Sequence, residues 1–244
     1  MGMSRRLTIV AVLLVSLART DFARAGGATA QQRSWALAAS ALLTERNGER
    51  HDRLAGSDLT TGEAERVRRL LTDWWDVTDR RGLLDALKWI QNAGHRERFA
   101  RMGEQLAILT AEQRHGLASQ RQRDFRLNQM IGVVEMHYAR LGAKSLLGWD
   151  FSRYISICRW GYAAGYLTED EAWARIIPAA RVLRHSFTSW RELGENYLIG
   201  RQFWSPDEHV RTGHLYRQAF DRLLADPASP WNRAPWQVDF GPPP

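Results

Sequence analysis

The segment from Trp149 to Ala164, WDFSRYISICRWGYAA, constrains the fold more than any other stretch of the chain. Stepped at about 100° per residue, it puts Phe151, Ile155, Cys158 and Tyr162 on one side of a helix. Trp149, Ile157 and Trp160 fall on another side, with Asp150 and Arg153 among them. A surface helix needs a polar face, so a helix apolar nearly all round belongs in the middle of a helical domain. Gly161 and Gly165 are four apart, which permits close approach of a neighbour; Gly165 also suits the C-terminal cap.

Two more helices follow directly. Thr168 and Glu171 form a capping box for the first. Its apolar set is Trp173, Ile176, Ile177, Ala180, Leu183 and Phe187, and Pro178 inside it predicts a kink or a restart. Ser189 and Glu192 open the second with another capping box. Trp190, Leu193, Tyr197 and Trp204 form its stripe, with Arg201 projecting from the same face. An arginine there must snorkel, pair or face a cavity.

These residues carry a resemblance. WDFSRYISICRWGYAAGYLTEDEAW followed by SWRELGENYLIGRQFW resembles the bacterial family known as domain of unknown function 1266. The likeness extends more weakly through WALAASALLTERNG from Trp35, GHRERF, and SPW and PW near the C-terminus. The resemblance implies an all-helical domain and brings no established activity, cofactor or catalytic residue. The leader described next is a departure from the family pattern.

Residues 1–25 read as a secretory signal. Arg5 and Arg6 give a basic start, and Leu7 to Ala18 is an apolar run of twelve, too short to span a bilayer comfortably. Ala23-Arg24-Ala25 and Ala28-Thr29-Ala30 are small-x-small cleavage sites, so cleavage after Ala25 or Ala30 and a periplasmic or secreted location are expected. The alternative is an uncleaved leader anchoring the chain in a membrane. At 244 residues the chain allows one large domain or two small ones; the reading is one domain with a proper core, residues 26–244. Removing residues 1–25 takes away four arginines and one aspartate, so the net charge falls from +7 to +4. That bias is too small for a nucleic-acid footprint. Cys158 is the sole cysteine, so no internal disulfide exists, and its place on the core helix reads as a small buried hydrophobe.

Elsewhere the 3.6-residue period recurs. Ser34 to Asn47 reads as one helix capped by Ser34, followed by a charged loop from Gly48 to Leu59. Thr60 with Glu63 opens a helix carrying Val67, Leu70, Leu71, Trp74 and Trp75. Asp79 caps the next, which Gly94 stops. His95 to Leu109 reads as weaker helix broken near Gly103, Thr110 and Gln113 cap a short turn, and Ser119 to Leu141 is a longer helix. Ser205-Pro206-Asp207-Glu208 opens the last helix, ending near Leu224. The proline-rich tail is expected to lack regular structure, with Trp231 and Trp236 folding back onto the body. No segment alternates like a strand. The expected fold is all-α, a single orthogonal-type bundle of about nine or ten helices around a central apolar helix.

Catalytic and metal signatures are missing from the sequence. His209 and His214 are five apart, on different helix faces, and no His/Cys/Asp cluster has ligand spacing, so no metal or cofactor is expected. No nucleophile motif, phosphate loop or dinucleotide fingerprint occurs. Asp73 and Asp76 read as solvated acids rather than a catalytic pair. The candidate polar cluster is Asp150, Arg153, Arg159, Glu171 and Arg201. It reads either as a buried ion-pair network fixing helix crossings or as an anion pocket, since arginine grips carboxylate and phosphate bidentately. The network is preferred, because no nucleophile or base accompanies the arginines.

Three functional readings follow: a non-enzymatic binding or interaction module with a protein or small anionic ligand as partner; an enzyme acting on an anion at Asp150, Arg153 and Arg201; and a membrane-surface protein held by its leader, with Arg121 to Arg126 near headgroups. Eleven tryptophans, mostly at helix-period positions, point to core packing.

Overall fold

The computed structural model describes residues 27–110, 112–114 and 124–243. The leader, Arg121 and Arg123 lie outside them. In chain order the helices are α1 (Ala30–Ala38), α2 (Ala41–Arg46), α3 (Thr61–Trp75), α4 (Arg80–Asn92), α5 (Gly94–Ala107), α6 (Phe125–Leu141), α7 (Leu147–Ala163), α8 (Glu169–Ser186), α9 (Trp190–Trp204), α10 (Pro206–Ala225) and α11 (Pro230–Arg233). A 3₁₀ turn, Gly142–Lys144, joins α6 to α7. Among the described residues there is no strand, and the fold is an all-helical bundle.

The helix apolar on all sides is the centre. Every residue of α7 from Gly148 to Gly161 is buried. It packs chiefly on α8 and α9, and also meets α2, α3, α4 and α5. Gly161 leaves room for α4, since a Cβ there would lie 2.5 Å from Leu83 Cδ2. Gly165, at φ +79°, ends the helix in the left-handed region.

Local chemistry sets most boundaries. Thr168, Ser189, Asp79 and Thr60 all accept the backbone N–H three residues on, as their spacing predicts. Four expectations change, three here and one in the tail. The helix expected over 34–47 is two helices, because Thr29 and Gln32 form the capping box that starts α1 and the chain turns at Ala39–Ser40. The Ser40 hydroxyl donates to Leu37 O there, competing with helical continuation. α5 runs unbroken through Gly103, which lies against the Tyr138 ring of α6. Pro178 does not restart α8, which is one helix.

The tail folds back and contains one helical turn, α11, capped by Ser229. Trp231 donates to Ala38 O at 2.9 Å and stacks on Trp190, while Trp190 donates to Ala234 O at 2.8 Å. Trp35, Trp190 and Trp236 interlock beside them. This aromatic knot closes one side of the bundle. Trp74 and Trp89 are exposed, unlike the other indoles. No helix among the described residues is long and apolar enough to cross a membrane.

Candidate functional site

The five polar residues singled out by sequence do not form one cluster. Asp150, Arg159 and Glu171 each answer a separate local problem, while Arg153 and Arg201 share one space.

Asp150 caps a helix that cannot cap itself. The N-cap position of α5 is Ala93, which has no side-chain acceptor. Asp150, on the first turn of α7, accepts from the backbone N–H groups of His95 and Arg96 at 3.0 and 3.1 Å, and from Arg96 Nη1 at 3.0 Å. Its fully buried carboxylate thus sits where the helix dipole is positive. Gly94 makes room: its φ is +58°, and a Cβ would lie 2.2 Å from Asp150 Oδ2. Both carboxylate oxygens are committed to this work.

Arg159 is a clamp on the loop between α2 and α3. Its guanidinium donates to Leu54 O, Arg50 O and Arg53 O, and to the Ser40 and Thr44 hydroxyls. Burial lowers its pKa, with Glu49 acting in the other direction. Glu171 stands near the surface, completing the Thr168 capping box and pairing with Arg80. The Arg80 hydrogen bonds bring its pKa down to about 2.

Arg153 and Arg201 do come together, and they border a cavity of about 260 Å³ between α7, α9, α10, α2 and the end of α3. Arg153 is flanked by indoles: its guanidinium carbon lies 4.1 Å from the Trp149 ring centre, 4.2 Å from Trp75 and 5.2 Å from Trp204. Its one polar contact to a described residue is a 3.5 Å approach of Nη1 to His95 Nδ1. Among the described residues no carboxylate comes within salt-bridge distance of it. Desolvation lowers its pKa to about 10, so it stays cationic at neutral pH.

Arg201 reaches the same space from α9. It lies 4.0 Å over the Tyr216 ring, and Nη2 donates to Thr212 Oγ1 at 2.5 Å and Glu208 O at 3.3 Å. Arg46, at the end of α2, lies 5.5 Å from the same ring. Arg201 Nη1, Arg46 Nε and Trp149 Nε1 are buried and have no acceptor. Glu208 is the carboxylate in the lining, and it pairs with Arg211 at 2.8 Å. Three guanidinium groups therefore share a largely aromatic cavity whose lining carboxylate is paired with Arg211. Among the described residues neither Arg153 nor Arg201 pairs with a carboxylate, so the expected ion-pair network is not what these two arginines build.

Arg46, Trp75 and Tyr216 are site residues that the sequence did not single out. The Trp149–Arg153 spacing of four was visible and is the direct cause of their stacking. Cys158 does not line the cavity; it is buried, and desolvation pushes its thiol well up. Among the described residues no group of three or more His, Cys, Asp and Glu is placed to hold a metal ion.

A family described as "Protein of unknown function (DUF1266)" matches residues 70–236. The chain belongs to this family. The matched span of the DUF1266 family contains Trp75, Trp149, Arg153, Arg201, Trp204 and Tyr216, while Arg46 precedes it. "Uncharacterized protein YbeR" of Escherichia coli (strain K12) is 28% identical over 144 residues, covering 57% of this chain and 60% of that protein. The chain thus spans less than two thirds of the length of that relative. No solved structure matches.

Proposed function

We propose that this protein is a non-enzymatic binding module whose ligand is a small organic anion, held in the cavity between Arg153 and Arg201. One observation carries the reading: Arg153 is 6% exposed, lies against Trp149 and Trp75, and has no carboxylate partner among the described residues. A purely structural arginine in such a place would be expected to carry a network like that of Arg159. Arg201 Nη1, Arg46 Nε and Trp149 Nε1 add unsatisfied donors around the same space. The second reading, an enzyme working at Asp150, Arg153 and Arg201, is weakened by the commitment of both Asp150 oxygens to the start of α5.

Thermal unfolding with carboxylates and phosphates at matched ionic strength tests this reading. A ligand at a hundred times its Kd stabilises by about 2.7 kcal/mol. In a domain of this size that raises Tm by about 5–10 °C. Arg153→Lys keeps the charge but loses the flat, forked edge, and removes the rise. Equal Tm values with every anion would refute the reading. The leader pattern of residues 1–25 supports export, with the ligand met in the periplasm. N-terminal sequencing of the protein from the producing cell checks it: a start at Gly26 or Gln31 agrees, and intact Met1 in the membrane fraction does not.

A further inference from the structure

The cavity's walls and its central arginine narrow the ligand further. Resting on the anion-binding reading above, we infer that the ligand is a small aromatic carboxylate, gripped edge-on by Arg153 with its ring among the cavity's indoles and phenols.

Three features lead there. The first is the geometry of Arg153. With Trp149 and Trp75 against it at 4.1 and 4.2 Å, its N–H edge has only the 3.5 Å approach to His95 Nδ1 among the described residues. A carboxylate is planar and matches that edge with two parallel hydrogen bonds. The second is donor number. Besides the Arg153 edge, the donors without an acceptor around the cavity are Arg201 Nη1, Arg46 Nε and Trp149 Nε1. A carboxylate brings acceptors to a space where protein acceptors are short.

The third feature is wall chemistry. Trp160, Trp204, Tyr197 and Tyr216 line the volume beyond Arg153, and ring faces and edges favour a flat apolar body at contact distance. Trp74, exposed and 6.4 Å from Trp204, stands where the cavity meets solvent.

Isothermal titration of the purified protein with benzoate, cyclohexanecarboxylate, acetate, benzamide, inorganic phosphate and adenosine monophosphate tests the assignment, with tryptophan fluorescence as a second readout. Benzoate is expected to bind at least tenfold more tightly than acetate or benzamide, and more tightly than cyclohexanecarboxylate. It should also quench the fluorescence. Arg153→Lys should weaken benzoate at least tenfold with an unchanged near-ultraviolet circular dichroism spectrum. If that variant loses its tertiary signal, Arg201→Lys takes its place with the same expectation. Tight phosphate or adenosine monophosphate with weak benzoate would overturn the aromatic carboxylate and leave the anion-binding reading standing. Benzamide matching benzoate would show that the cavity reads the ring and not the charge, which overturns both, as would binding of none of the probes.

Discussion

The guanidinium of Arg153 lies 4.1 Å from the ring centre of Trp149, one helical turn before it on α7. The contact is intrahelical, so the cation is preset before any ligand arrives. That preorganisation costs stability, because a fully desolvated guanidinium has given up its hydration without gaining a carboxylate.

Arg153→Met should therefore fold with little or no loss of stability. The stacking lost is worth about 0.5–2 kcal/mol, and the relieved desolvation offsets it. Urea unfolding should place the variant within about 1 kcal/mol of the parent, while anion-induced stabilisation disappears. A loss of several kcal/mol would mean that Arg153 is a structural member.

Arg159→Met should behave in the opposite way. Its removal leaves the carbonyls of Arg50, Arg53 and Leu54 and two hydroxyls without a donor beside α7. The expected loss is about 3–5 kcal/mol in the same urea measurement. The contrast between two buried arginines on one helix separates binding from scaffolding.

The Asp150 cap predicts a coupled pair. Gly94→Ala forces a Cβ into the Asp150 carboxylate at a positive φ, and Asp150→Asn weakens the cap of α5. Each should cost about 1–3 kcal/mol, and the double variant should cost less than the sum, since the clash and the cap share one carboxylate. Additive losses would show that the two residues act apart.

His95 gives a pH dependence. Burial lowers its pKa below 6.5, with Arg153 and Arg98 acting in the same direction and Asp150 opposing. The neutral form is favoured in the fold, so the unfolded chain binds the extra proton first. Stability from this group is complete above pH 6.5 and falls as pH drops from there through the lowered value. His95→Gln should flatten the slope of unfolding free energy against pH in that window. An unchanged slope would assign it elsewhere.

Much of the fold was legible because helical period and capping residues are local signals. The apolar circumference of α7 marked the centre, and the Thr168, Ser189 and Asp79 caps marked starts. The start of α1 was missed because Thr29 with Gln32, rather than Ser34, supplies the capping box, and the break at Ser40 because its hydroxyl turns back onto Leu37 O. The cavity was less legible. Arg153 and Arg201 stood out as charges on apolar stripes, but their separation from Asp150, Arg159 and Glu171 depends on where α5, the loop after α2 and Arg80 lie. Arg46 and Tyr216 carry no local mark at all, since only the packing of α2 against α10 brings them to Arg201.

The most direct measurement is a crystal structure of the protein grown with 4-bromobenzoate, using the anomalous scattering of bromine to place the ligand. The expected result is a bromine peak inside the cavity near Trp204 and Tyr216, with the carboxylate in the plane of the Arg153 guanidinium. A bromine peak confined to the outer surface, with Arg153 turned onto Glu208 or another carboxylate, would contradict it.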